Sequence, residues 1–260
     1  MGCRALVFGG SSGVGYYSSR SLARRGCPVV IAARRLDRLR SAAERLREET
    51  GGTLYYVRAD LTVPESIESS LESAREMLGG GIDVVIASYG NPSREPLELH
   101  EASWSDWVEA SKLYLASTAM ILKWLVTSNT VKSTFIGISS FTVVEPMPPL
   151  VVSDTVRAGL SRLARIASRR YPDKVRPLIL LLGSIDTPGA RETIRRLAER
   201  RGEDPDSLWR REVEGLSPLR RTCRPEELER VVAWLAIDSP EYLTGSTILF
   251  DGASLRTSYP

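Results

Sequence analysis

One histidine, three cysteines, two asparagines and no glutamine stand among 260 residues. With His100 as the only imidazole, a Ser-His-acid triad would hang on a single side chain. Its setting, "LELHEAS", reads as the approach to an ordinary helix. Cys3, Cys27 and Cys223 are odd in number and unrelated in spacing. Neither a disulfide framework nor a metal site fits them, and cytoplasmic thiols are expected. No apolar run approaches the roughly 20 residues that span a bilayer. The opening "MGCRALVFGG" passes into a strand-like run without a signal-peptide pattern. The expectation is a soluble, cytoplasmic protein with no membrane partner. A net charge of +3, from 35 basic and 32 acidic residues, lacks the excess of a nucleic-acid binder. Only four of the basic residues are lysine. Scarce amides beside abundant charge suit a hot-living source, and a codon-driven arginine bias explains them equally well.

What is present is an alternation. Hydrophobic residues make up 42% of the chain and gather in short β-branched runs: "CRALVFG", "PVVIAA", "TLYYVRAD", "IDVVIASYG", "STFIGISS", "RPLILLLG" and "STILFDG". Between them lie longer stretches with helical spacing, among them "RLDRLRSAAERLREET" and "WSDWVEASKLYLASTAMILKWLV". Strands alternating with helices predict an α/β fold, a doubly wound Rossmann-like domain over 1–260. About seven strands form its mostly parallel sheet, with helices on both faces. Proline opening "RPEELERVVAWLAI" fits a helix start. Residues 184–221 are dense in charges of both signs and fall at the carboxyl edge of the sheet. They read as a lid-like insertion over the ligand crevice or as a solvated helical pair.

"FGGSSGVG" follows the first strand and opens the first helix, with Gly9, Gly13 and Gly15 spaced G-x-x-x-G-x-G. Glycines permit positive φ and close approach of a pyrophosphate, and the helix N-terminus favours its charge. The loop, including Ser11, Ser12 and Val14, is the expected nucleotide cradle. At the end of the second strand, where an NAD-specific fold places an acid for the ribose 2′-hydroxyl, this chain carries Arg34 and Arg35. Guanidinium groups grip a 2′-phosphate, so NADP is expected over NAD. Asp60, followed by Leu61 in "RADLT", suits the adenine edge.

"FGGSSGVG", "RADLT", "IDVVIASYG", "IGISS", "GSIDTP" and "RPEELERVVAWLAIDSPEYLTGSTILFDG" together resemble the short-chain dehydrogenase/reductase family, nearly end to end. The resemblance implies NAD(P) binding, hydride transfer on a small-molecule carbonyl or alcohol, and a homodimer or homotetramer. It places Ser88, Tyr89 and Gly90 at the fourth strand's exit beside the cofactor, and Gly183, Ile185 and Thr187 near the nicotinamide carboxamide. It also implies an Asn-Ser-Tyr-Lys catalytic set, of which only Ser140 is retained. The tyrosine and lysine positions hold Ser153 and Arg157, in a register fixed by "RAGL", and the asparagine position holds Tyr114. Phe8 and Leu182 are further departures.

A serine hydroxyl is shorter than a phenol and far less acidic, and arginine does not relay a proton. Three expectations follow from the changed positions. Tyr114 donates the proton, with Arg157 depressing its pKa and Ser140 orienting the carbonyl; Tyr89 is a second candidate; and Arg157 also holds the nicotinamide ribose. The other reading is a catalytically silent NADP-binding protein, a sensor or scaffold. "FTVVEPMPPL", Tyr89, Tyr114 and Trp209 are candidate walls of an apolar substrate pocket.

Overall fold

The computed structural model describes residues 3–257. Seven strands form one parallel sheet in the order β3-β2-β1-β4-β5-β6-β7. They are β1 (Ala5–Phe8), β2 (Val29–Ala33), β3 (Leu54–Arg58), β4 (Val84–Ala87), β5 (Ser133–Ser140), β6 (Val175–Leu182) and β7 (Thr247–Phe250). Each falls within one of the seven apolar runs, except that β6 begins one residue earlier, at Val175. The order reverses direction between β1 and β4, and that switch point opens a crevice at the strands' carboxyl ends.

Alternate residues of each strand feed opposite cores, because side chains in a strand alternate faces. Ala5 and Val7 join Leu178 and Leu180 on one face. Leu6 and Phe8 join Ile179 and Leu181 on the other. On the first face pack α1 (Gly13–Arg24), α2 (Leu36–Thr50) and α10 (Pro225–Ala233). The second face is covered by α3 (Pro64–Met77), α5 (Ser117–Thr127) and α7 (Gly159–Arg170). Pro225 opens α10, and Glu227 turns back to accept from the Arg224 N–H at 2.9 Å.

The long helix expected after residue 103 is interrupted. It begins as α4 (Trp104–Ala110), passes through a π turn at Ser111–Ala116, and resumes as α5. The helical stretch that opens at Val151 is likewise divided, into α6 (Val151–Arg157) and α7. Residues 184–221 contain α8 (Pro188–Arg201) and α9 (Pro205–Glu212). α8 is tied to the loop after β4: Arg196 donates to the Ser93 carbonyl at 3.0 Å and Arg200 to that of Pro96 at 2.8 Å.

The cysteines depart from expectation. Cys3 and Cys27 form a disulfide with a Cα separation of 4.9 Å, leaving Cys223 as a free thiol. The parallel register that sets Ala5 opposite Val29 brings Cys3 beside the turn before β2. That proximity belongs to the sheet and not to the spacing of 24 residues. Among the described residues no helix is long and apolar enough to cross a membrane, and no metal-binding cluster forms.

Candidate active site

A cleft of about 1250 Å³ opens above the carboxyl ends of the strands. Its floor is the glycine loop. Gly9 has φ of +73°, and a Cβ there would lie 2.0 Å from the Ser88 carbonyl oxygen. A Cβ on Gly15 would meet the Gly9 oxygen at 2.2 Å. Both positions therefore require glycine for close backbone approach. Ser11, Ser12, Gly13 and Val14 line the same floor. α1 carries no acid in its first turn, so its N-terminal N–H groups face the cleft without a competing carboxylate. Thr187 approaches this loop: a Cβ on Gly13 would sit 3.2 Å from its methyl carbon. Its hydroxyl oxygen accepts from the Ala190 N–H at 3.1 Å, which leaves its own proton for a ligand.

At one end of the cleft stand Arg34, Arg35, Asp60 and Leu61, with Arg38 from α2 beside them. Arg35 is engaged with Asp37 at 2.9 Å. Arg34 makes no ion pair among the described residues, and it is exposed. Burial pushes the Asp60 carboxyl up. The Thr62 N–H and hydroxyl, at 2.9 and 2.7 Å, with Arg34 and Arg58 nearby, outweigh that and hold it below the usual carboxylate range. Asp60 is thus an anionic acceptor at this end.

The other end gathers Ser140, Tyr114, Arg157, Tyr89, Ser88 and Gly90, with Gly183 and Ile185 from beyond β6. The π turn carries Tyr114 inward, where it is 1% exposed. Such local unwinding frequently marks functional sites. The Tyr114 hydroxyl donates to the Gly90 carbonyl at 2.9 Å. Arg157 lies over the ring, 5.2 Å from its centroid. Burial exceeds the guanidinium's opposing effect, and the phenol is pushed up to about 12. The expected depression by Arg157 is therefore reversed by desolvation. Tyr89 stacks edge-on against Tyr114 at 5.4 Å and its hydroxyl is bonded to Thr118. The Thr118 proton already goes to the Tyr114 carbonyl at 2.6 Å, so Tyr89 is the donor in that pair. Burial also raises the Tyr89 phenol.

Ser153 is fully buried and is absent from the cleft wall. Its N–H donates to Glu95 Oε1 at 2.7 Å, and its hydroxyl accepts from Arg157 at 2.9 Å. It fills the space behind Arg157 and offers no proton to a ligand in the cleft. Burial raises both Glu95 and the neighbouring Asp154, each opposed in part by Arg157. Trp209 is a further correction. It is 2% exposed, stacked under Arg191 at 3.7 Å and bonded to Glu214, away from the cleft wall. His100 is exposed and outside the cleft.

The residues fit a dinucleotide. The cradle excludes a Cβ at Gly9 and Gly15, a guanidinium and a carboxylate stand at one end of the cleft, and Ser139 Oγ is buried on the cleft without a hydrogen-bond partner. Arg38, Thr142, Glu95 and Asp154 were not singled out in the sequence. For Arg38, its place four residues after Arg34 on a helix start was an available signal. The other three carry none that a linear reading detects.

Comparison with known proteins bears on the family, the fold and the cofactor. Residues 9–253 match the family model described as enoyl-(acyl carrier protein) reductase. A short chain dehydrogenase/reductase of Aspergillus oryzae is 27% identical over 96% of this chain and 94% of its own. Glucose 1-dehydrogenase 2 of Bacillus subtilis is 26% identical over 100% of this chain and 96% of its own. Among solved structures, L-sorbose reductase of Gluconobacter frateurii, complexed with NADPH and L-sorbose, superposes with a TM-score of 0.89 at 27% identity. That match covers 99% of this chain and 98% of the reductase.

Proposed function

The chain belongs to the short-chain dehydrogenase/reductase family, and on that premise we propose that it is an NADP(H)-dependent oxidoreductase. It passes hydride between the cofactor and a small-molecule alcohol or carbonyl. One observation carries the reading: the Cβ-excluding glycine cradle, the Arg34 end and Ser140 all open into a single cleft. When bound, NADP supplies the acceptor or donor of hydride. The chain's own residues do the rest. Arg34 and Arg38 hold the 2′-phosphate by charge-assisted hydrogen bonds, and Asp60 accepts from the adenine edge. The N–H groups of α1 carry the pyrophosphate, and Thr187 orients the carboxamide. Arg157 holds the nicotinamide ribose, its position fixed by Ser153 and Asp154.

The proton donor is non-standard. Tyr114 has the right chemistry, but its proton is spent on Gly90 and burial strengthens its hold. Its role in this reading is to brace the loop after β4 and wall the substrate space. The whole chain acts as one dinucleotide-binding unit, with residues 184–221 its lid and the ties of α8 to Ser93 and Pro96 its latch. As a family member it works as a homodimer or homotetramer.

The test is a fluorescence titration with NADPH and NADH, followed by turnover of a panel of ketones, aldehydes and polyols. NADPH binding with turnover of any member supports the reading. No NADPH binding refutes it. Tight binding with no turnover favours the silent NADP-binding sensor or scaffold.

A further inference from the structure

The proton that the reaction must move has a different route, which rests on the oxidoreductase reading. The turn after β5 folds Thr142 back so that its Oγ1 lies 2.9 Å from Ser140 Oγ and 2.6 Å from Asp154 Oδ1. Ser140 faces the cleft, and Asp154 stands behind it, 3% exposed and off the cleft wall. Three oxygens thus run from the substrate space into the protein.

Counting hydrogens gives their direction in each protonation state of Asp154. An ionised carboxylate only accepts, and each hydroxyl has one proton. Asp154 Oδ2 accepts from the Met147 N–H at 3.1 Å, and Oδ1 from Arg157 at 3.3 Å and from Thr142. Thr142 Oγ1 is the donor to both neighbours, so its single proton serves Asp154 while that carboxyl is ionised and Ser140 Oγ once it is protonated. Ser140 Oγ also receives the Thr142 N–H at 3.3 Å. In that second state both Ser140 acceptor positions are engaged, and its own proton is left to donate to a substrate carbonyl oxygen.

We propose that Ser140 and Thr142 relay the proton between the substrate oxygen and Asp154, which is its terminal acid and base. In alcohol oxidation the substrate O–H bond breaks as Ser140 Oγ takes its proton. Ser140 passes its own hydrogen to Thr142 Oγ1, and Thr142 passes its own to Asp154 Oδ1. The same substrate carbon gives up hydride, a C=O bond forms, and oxidised NADP is the electron acceptor. Asp154 ends protonated, both hydroxyls are restored, and carbonyl reduction runs the steps backward. Ser140 is the catalytic residue, because it touches the substrate; Thr142 and Asp154 act through it. The arrangement supplies at Asp154 what the missing phenol-ammonium pair would supply, a group able to hold and return a proton. Burial favours its protonated form. The groups facing it are Arg157 on its own helix, Glu95 from the loop after β4, Tyr114 from the π turn, and the Thr142 and Met147 donors.

The experiment compares Thr142→Val, Thr142→Ser and Asp154→Asn with the wild-type chain. Thr142→Val keeps the shape and removes the proton carrier. Its kcat is expected to fall about 10²-fold or more, the usual scale of acid–base catalysis. KM and NADPH affinity should stay close to wild type. Thr142→Ser should restore kcat. On the protein without cofactor, infrared titration should reveal a protonated carboxyl band absent from Asp154→Asn and shifted in Thr142→Val. Wild-type turnover with an undiminished kcat in Thr142→Val, or a carboxyl band that Thr142→Val leaves in place, overturns the relay alone. Absence of turnover in the wild-type chain overturns the oxidoreductase reading, and the relay with it.

Discussion

Removing Arg34 should convert a cofactor preference into near indifference. Arg34 is exposed at the end of β2, lines the cleft and makes no ion pair among the described residues. A 2′-phosphate would be its strongest partner. Charge-assisted hydrogen bonds contribute about 1.5–3 kcal/mol, and solvent exposure argues for the lower half of that range. At about 1.4 kcal/mol per decade, Arg34→Ala should weaken NADPH binding roughly 10- to 40-fold. NADH has no 2′-phosphate, so its affinity should change little. Arg35 must first leave Asp37, which it grips at 2.9 Å, and Arg35→Ala should cost less. Fluorescence titration of both variants with both cofactors, repeated at two salt concentrations, measures all four effects. Equal losses for NADPH and NADH in Arg34→Ala, or a larger NADPH loss in Arg35→Ala, would refute the assignment.

The phenol, the disulfide and the buried acids each give a further expectation. Tyr114→Phe removes a hydroxyl bonded to the Gly90 carbonyl in a part-buried contact; it should cost about 0.5–1.5 kcal/mol in urea unfolding and leave kcat within a few-fold. A collapse of kcat with NADPH affinity intact would return Tyr114 to the role of proton donor. Reducing Cys3–Cys27, which closes a separation of 24 residues, should lower stability by about 3–4 kcal/mol on the chain-entropy account and Tm by on the order of 10 °C. Calorimetry with and without reductant checks this, and an unchanged Tm contradicts it. Glu95 and Asp154 have folded-state pKa values raised by burial. Their protonation therefore favours the folded chain below the unfolded pKa, and this contribution is lost as pH rises through the folded values. Glu95→Gln should flatten the fall in urea midpoint across that interval, and an unaltered profile would show that Glu95 does not titrate there.

The strands were legible because a parallel, doubly covered sheet demands continuous β-branched runs, and this chain writes seven of them. The glycine loop was legible for a local reason as well: the close approaches at Gly9 and Gly15 arise within one strand-turn-helix unit and the neighbouring strand end. Arg34 and Asp60 follow from their places at strand ends. Ser140 follows from the family's pattern, and so does the loss of its tyrosine and lysine partners. The interruption of the long helix at Ser111–Ala116 did not show in the sequence, since helical spacing persists through a π turn.

Other features needed the assembled molecule. Cys3 meets Cys27 through the register of β1 on β2. Thr142 meets Asp154 only because a turn reverses the chain against α6. The sequence alone determined the alternating fold and the glycine-rich turn after β1, because these depend on residue type and near neighbours. Tertiary structure alone decided where the protons sit. Burial, not sequence distance, sets the proton affinity of Tyr114 and Asp154, and desolvation exists only once the helices have closed over the sheet.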